Sequence, residues 1–168
     1  MPLSRLFVAV WPPAEVLERV AALERPAVEG LRWTAPDQWH VTLRFLGETD
    51  VAPVVDALRA VAVEPFGVRL GPAVGRFDHR VLHVPVSGVD DLARAVVSTT
   101  AGLGRPPDQR PFHGHLTLAR VGKHARVDLR RLAGAPLEAT WEVSSFCLVE
   151  SRLSPAGARY TVLERFDL

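Results

Sequence analysis

The sequence predicts an α+β fold of mostly antiparallel sheet, arranged as two pseudo-symmetric lobes around a central cleft. Strands and helices alternate up to Gly102 and strands dominate afterwards, which is the order of an α+β layout rather than of a parallel sheet. The tetrad His40-Val41-Thr42-Leu43 returns as His115-Leu116-Thr117-Leu118, 75 residues later and a little under half a chain away. The longer stretches HVTLRFLG (40–47) and HLTLARVG (115–122) agree at the His, the Thr, the following Leu and the closing Gly. A duplicated half-domain is the simplest source of such a pair. With 168 residues and no linker or low-complexity stretch, the chain fits one domain spanning 1–168.

Each element has its own local signal. Leu6 to Val10 is a β-rich run stopped by Pro12-Pro13. Pro13 suits the opening of a helix, and Val16, Val20 and Leu23 recur at helical spacing to about residue 25. Leu31 to Trp33 is a short extended piece, and 39–46 a strand of mixed pattern. Asp50 is placed to cap a second helix carrying Val54, Val55, Leu58 and Val61. Strands near 66–74 and 80–86 flank a turn from Gly75 to His79. Asp90 and Asp91 open a third helix through Leu92, Ala95 and Val96, ending near Gly102. Pro106-Pro107-Asp108 marks a loop before the second tetrad strand at 114–121. A helical turn around 128–133 leads to β-rich runs near 138–143, 145–151 and 158–166.

Composition narrows the function classes. A net charge of +1 gives no electrostatic footprint for duplex nucleic acid. Of the 20 basic residues only Lys123 is a lysine, and the arginines offer planar forks for phosphate, although a GC-rich genome is the simpler account of the bias. The single cysteine, Cys147, excludes an internal disulfide, suits a reducing compartment and sits in an apolar run as a small core residue. The N-terminal apolar stretch is too short for a signal peptide and no run is long enough to span a membrane, so a cytoplasmic protein is expected.

The tetrads carry the chemistry. Residues two apart on a strand share a face, so His40 projects with Thr42, and His115 with Thr117, while Val41, Leu43, Leu116 and Leu118 anchor the opposite face. If the two strands meet, two imidazoles and two hydroxyls converge on a space that fits a phosphate. Each hydroxyl can donate to a non-bridging oxygen, and each imidazole can reach an attacking or a leaving oxygen. Imidazole suits both proton roles because its ordinary pKa, about 6.5, lies near working pH. One histidine must start neutral and the other protonated. A lone His-x-Thr pair on an amphipathic strand is more often a polar surface face; the repetition of all four identities reverses that weighing.

Phe45 and Arg120 stand at the same position after each histidine, where simple alternation points them away from the site unless the strand bulges. Arg120 could bring charge to a phosphate and Phe45 could stack on a base or pack in the core. His113 borders the second tetrad and reads as an exposed loop histidine; His79, His83 and His124 lack a partner pattern and read as structural or surface residues. Trp33 and Trp39 could stack on bases but are as well explained as core or rim. A zinc site built on His113 and His115 lacks a usual third ligand, so neither metal nor other cofactor is expected.

These residues resemble the 2H phosphoesterase superfamily, named for two His-x-Thr-x motifs. The opening RLFVAV (5–10), the segment Leu31-Arg32-Trp33 leading into HVTLRFLGE, the run HLTLARVG and the closing LVESRLSPAGARYTVLERF are similar to LigT-type (ThpR) RNA 2′,3′-cyclic phosphodiesterases over essentially the whole chain. The resemblance implies two lobes of antiparallel sheet with helices outside. It also implies hydrolysis of a terminal 2′,3′-cyclic phosphate to a 2′-phosphate. His40 would be the proton donor to the leaving 3′-oxygen and His115 the acceptor from water, with Thr42, Thr117 and Arg120 on the phosphate. Reversible 2′–5′ joining of tRNA halves would be the same chemistry with a 5′-hydroxyl in place of water. One departure is Gly114, where the family often has Pro; it could loosen the strand entry but is not expected to abolish the chemistry.

The partner expected is therefore RNA with a 2′,3′-cyclic phosphate end, tRNA fragments among them, met by a monomer that needs no membrane or protein partner. Two alternatives stay open. The substrate could be a small cyclic phosphate such as ADP-ribose 1″,2″-cyclic phosphate, or a 2′–5′ oligonucleotide. The protein could also bind RNA ends without turnover, although both His and both Thr are intact.

Overall fold

The computed structural model describes residues 2–168. Its elements are β1 (Ser4–Val10), α1 (Ala14–Ala21), β2 (Leu31–Trp33), β3 (Val41–Thr49), α2 (Val51–Leu58), β4 (Phe66–Leu70), β5 (Gly75–Phe77), β6 (Val81–Ser87), α3 (Asp90–Thr99), β7 (His115–Val121), β8 (Ala139–Val143), β9 (Ser145–Ser154) and β10 (Gly157–Asp167), with short 3₁₀ turns at Pro36–Gln38 and Leu129–Arg131. The strands run β10-β9-β1-β3-β7-β6-β4-β8, with β2 added to β7 and β5 to β6, and every pairing is antiparallel.

That order is a mirror. Along the eight-strand path four strands lie on each side of the β3–β7 junction, with β2 and β5 added on the β7 side, and each tetrad strand is the innermost of its lobe. The junction itself is a single register pair, Val41 opposite Leu116. The α+β, two-lobed expectation holds.

The two faces of the sheet differ. Leu6, Val8 and Val10 on β1 point to one face and pack with Val16 and Val20 of α1, Val54 and Leu58 of α2, and Leu92 and Val96 of α3 in one buried cluster. All three helices therefore cover that face, and their apolar burial supplies most of the cohesion. On the other face Phe7, Ala9 and Val149 form a small cluster with Trp11, Phe45, Cys147 and Tyr160 packed against it. Burial there raises the Cys147 thiol pKa, as suits a packing residue.

Several boundaries differ from expectation. Helix α1 ends at Ala21, ahead of Arg25, whose guanidinium donates to Ala21 O (3.2 Å), and of Pro26, which disfavours helix at the residue before it. Asp50 occupies the N-cap of α2 but makes no capping hydrogen bond, and its Oδ1 is buried without a partner among the described residues. The expected turn from Gly75 contains β5, because Gly75 to Phe77 supply an edge that β6 can pair with. The β9–β10 hairpin extends to Ser154 and Gly157, past the apolar runs, held by the Ser154 hydroxyl donating to Gly157 O (2.7 Å). Among the described residues no helix is long and apolar enough to cross a membrane.

Candidate active site

The Val41–Leu116 pair brings the tetrads together. Antiparallel register, continued one residue each way, sets His40 across from Thr117 and Thr42 across from His115. Val41, Leu43, Leu116 and Leu118 are buried in the helix-covered core, so the four polar side chains share the opposite face. Up to each threonine both strands keep the expected alternation.

Beyond each threonine the alternation breaks, in the same way in both lobes. On β3, Val8 faces Arg44 and Ala9 faces Thr42, which leaves Leu43 as an extra residue. On β7, Leu82 faces Ala119 and His83 faces Thr117, which leaves Leu118 as the extra residue. A bulge of one residue flips the phase of the strand beyond it. Phe45 is thereby turned onto the site face, where it joins Phe7, and Arg120 emerges on the face of His115 and Thr117. The second bulge is tied down from β2. Thr34 N–H donates to Leu118 O (2.8 Å), and its hydroxyl is shared between Thr117 O and Leu118 O (2.9 Å each). Buried Trp39 in turn donates its indole N–H to the Thr34 hydroxyl (3.1 Å). Trp39 is thus core, and Trp33 is likewise anchored by its N–H on Pro26 O (2.8 Å).

The histidines are oriented alike. His40 Nδ1 lies 2.7 Å from Gln38 O, and His115 Nδ1 lies 2.7 Å from His113 O, each carbonyl two residues upstream. With the proton on Nδ1 in each ring, both Nε2 atoms are free to face the site. His40 Nε2 also meets the Thr42 hydroxyl at 3.0 Å. The exposed His113 contributes its carbonyl to the site and leaves its imidazole in solvent, as its loop position suggested.

The surroundings of the two rings differ. His40 is walled by Phe7, Trp11 and Tyr160, with ring centroids at 5.0, 5.1 and 5.3 Å. That burial, reinforced by the charges of Arg120 and His115 and opposed by the Gln38 carbonyl, lowers its pKa to about 4. Burial also lowers His115, with Arg120 and His113 adding to the effect against the His113 carbonyl. Arg120 is thus close enough to act on both imidazoles. Burial raises the Tyr160 hydroxyl against the charges of Arg120 and Arg5.

Some site residues left no mark in the sequence. His83 is 6% exposed, stacks on Phe77 at 3.8 Å and 5°, and lies 5.6 Å from His115. Phe77 presents its edge to His115 at 4.8 Å, so the stacked pair holds the His115 ring from the β6 side. Burial and the charges of His115 and His113 keep His83 neutral down to about pH 4, and its Nδ1 has no hydrogen-bond partner among the described residues. Its signal is hidden by a register shift between Leu82 and His83 and by a strand that reads as a turn. Tyr160 and Trp11 are likewise not separable from core aromatics in the sequence. Gly114 does not loosen the strand entry: a Cβ there would lie 2.5 Å from Val86 O and 2.7 Å from Val89 Cγ2, and Gly114 O accepts from Val86 N–H (2.9 Å). Among the described residues no cluster of three or more His, Cys, Asp or Glu could hold a metal ion.

The chain is similar in sequence and fold to known proteins. Residues 12–154 match the 2′-5′ RNA ligase superfamily. The chain is 35% identical to a Thermus thermophilus protein named RNA 2′,3′-cyclic phosphodiesterase, over 98% of this chain and 90% of that one. It is 32% identical to an Archaeoglobus fulgidus protein of the same name, over 97% of this chain and 99% of that one. Its fold matches the crystal structure of Escherichia coli LigT complexed with 3′-AMP, with a TM-score of 0.74, 30% identity, and coverage of 99% and 98% of the two chains.

Proposed function

The chain belongs to the 2′-5′ RNA ligase superfamily, and from that premise we propose that it hydrolyses the 2′,3′-cyclic phosphate at an RNA end to a 2′-phosphate. The observation that carries this reading is the single Val41–Leu116 register pair, which puts one His and one Thr of each tetrad around one space. Water attacks phosphorus opposite the 3′-oxygen, the new P–O bond forms and the P–O3′ bond breaks. His115, its Nδ1–H fixed on His113 O, takes the water proton at Nε2. His40 gives a proton from Nε2 to the departing 3′-oxygen. Thr42 and Thr117 donate to the non-bridging oxygens and Arg120 offsets their growing charge. With a 5′-hydroxyl in place of water, the same groups run 2′–5′ joining.

His40 takes the acid role only with help from the substrate. In the ligand-free protein its burial favours the neutral ring, so the bound phosphate anion is what stabilises its imidazolium. Phe45 is an aromatic wall on the His40 side that meets the terminal nucleoside; the guanidinium groups of Arg5 and Arg105 lie over its ring at 4.7 and 5.3 Å. No step requires a metal or other cofactor. The lone Cys147 fits a cytoplasmic setting, and we treat the single domain as a working monomer.

The assignment is tested with a cyclic substrate carrying sulfur in place of the 3′-oxygen, whose thiolate leaves without a proton. Sulfur should rescue His40→Ala and leave His115→Ala impaired. Rescue of His115→Ala instead would exchange the two roles, and no turnover of either substrate by the unmodified protein would refute the function.

A further inference from the structure

The cationic groups around Phe45 are not accounted for by the hydrolysis of the cyclic ester. Arg5 projects from β1 two positions before Phe7, and Arg105 comes from the loop after α3; both reach the ring of Phe45. Arg105 is held there by a built support. Its N–H donates to Leu46 O (2.7 Å), and Gly104 before it takes φ +64° where a Cβ would lie 2.5 Å from that same carbonyl. From the core side, buried Arg44 donates to Thr100 O (2.8 Å), Leu103 O (3.0 Å) and Arg105 O (3.1 Å), binding the loop to β3. Strand β3 therefore points Arg44 inward to fix the loop and Phe45 outward to receive its arginine.

The two guanidinium groups lack counter-ions. Among the described residues no ion pair includes Arg5, Arg105 or Arg120, although Glu48 stands across the strands from Arg5; seven other arginines do pair with carboxylates. Among the described residues Arg5 Nε, which is buried, finds no hydrogen-bond partner. Guanidinium groups fixed in place, stacked on a ring and short of an acceptor form a seat for a second anion.

We propose that Arg5 and Arg105, held over Phe45, bind the phosphodiester that precedes the terminal nucleotide, so that the protein selects a polynucleotide end over a cyclic mononucleotide. This rests on the acid and base roles given to His40 and His115. In-line attack places the ribose on the side of the acid that protonates O3′, and the chain leaves that ribose through its 5′-oxygen. Phe7, 5.0 Å from the His40 ring, is paired across the strands with Phe45, so the seat lies on the His40 side. The upstream phosphate and the seat therefore share one side of the reacting phosphorus.

The test compares uridine 2′,3′-cyclic phosphate, the dinucleotide UpU ending in a 2′,3′-cyclic phosphate, and the same dinucleotide with a neutral methylphosphonate linkage. The protein should prefer the charged dinucleotide over the mononucleotide in kcat/KM by about ten- to a hundredfold, the worth of one or two charge-assisted hydrogen bonds. The methylphosphonate should lose that preference on the unmodified protein, where folding is not in question. The double variant Arg5→Gln/Arg105→Gln should bring the dinucleotide-to-mononucleotide ratio toward one. Equal rates on mononucleotide and dinucleotide, full preference for the neutral linkage, or an unchanged ratio in the double variant would each overturn the seat and leave the hydrolysis reading intact. Turnover of none of the three would remove the hydrolysis reading and the seat with it.

Discussion

The rate profile with pH should peak on the acid side of neutrality. kcat/KM reports the free enzyme, whose reactive form in the proposed mechanism carries one imidazolium and one neutral imidazole across the pair. Burial, with the charges of Arg120 and His115, holds His40 at about 4, and burial with the charges of Arg120 and His113 holds His115 below its ordinary 6.5. The singly protonated pair is most populated between those two values, which belong to the coupled pair rather than to either ring. Below about 4 both rings are charged and the base is lost. Above the upper value both are neutral and the acid is lost, so kcat/KM should fall about tenfold for each pH unit. A bound phosphate anion favours the imidazolium, so the profile of kcat should lie at higher pH than that of kcat/KM. Initial rates on a cyclic-ended dinucleotide from about pH 4 to about pH 9, at constant ionic strength, check both statements. A kcat/KM optimum above neutrality would refute the claim that burial sets the protonation of the pair.

Other variants address the supports. Thr42→Ala and Thr117→Ala should each lower kcat by about ten- to a hundredfold, since each removes one neutral donor to developing charge; unchanged rates in single-turnover experiments would take the hydroxyls off the phosphate. Thr34→Val removes the hydroxyl shared by the two bulge carbonyls and should cost about 1–3 kcal/mol in denaturant unfolding. In that background Arg120→Gln should cost less activity than it does alone, and fully additive losses would show that the bulge does not aim Arg120. Gly114→Ala should lose about 1–3 kcal/mol of stability through contact with Val86 and Val89, and a variant as stable as the parent would show that the space exists.

The candidate reacting groups are legible in the sequence because their chemistry is duplicated and because strands alternate. His40, Thr42, His115 and Thr117 need only a period of two and one register pair to converge. Phe45 and Arg120 can be placed only conditionally, since the bulges at Leu43 and Leu118 decide their face and neither leucine differs from an ordinary core residue. The bulge at Leu118 is fixed by Thr34 and Trp39, more than seventy residues away, a contact that local pattern does not encode. His83 escapes a sequence reading for the same reason: its neighbours, Phe77 and His115, are brought to it by pairing on both edges of β6. Helices stop short of the expected ends where apolar spacing continues past the last helical turn, as at Leu23 and Val61.

The most direct test tracks the phosphorus itself. The pure protein, in EDTA, is incubated with a short RNA ending in a 2′,3′-cyclic phosphate, and the product is identified by phosphorus NMR. A 2′-phosphate should form, and its rate should drop by roughly 10² to 10⁴ in His40→Ala and in His115→Ala, the usual range for one general acid or base. A 3′-phosphate, a reaction that the chelator stops, or near-parental rates in both histidine variants would contradict the two-histidine account.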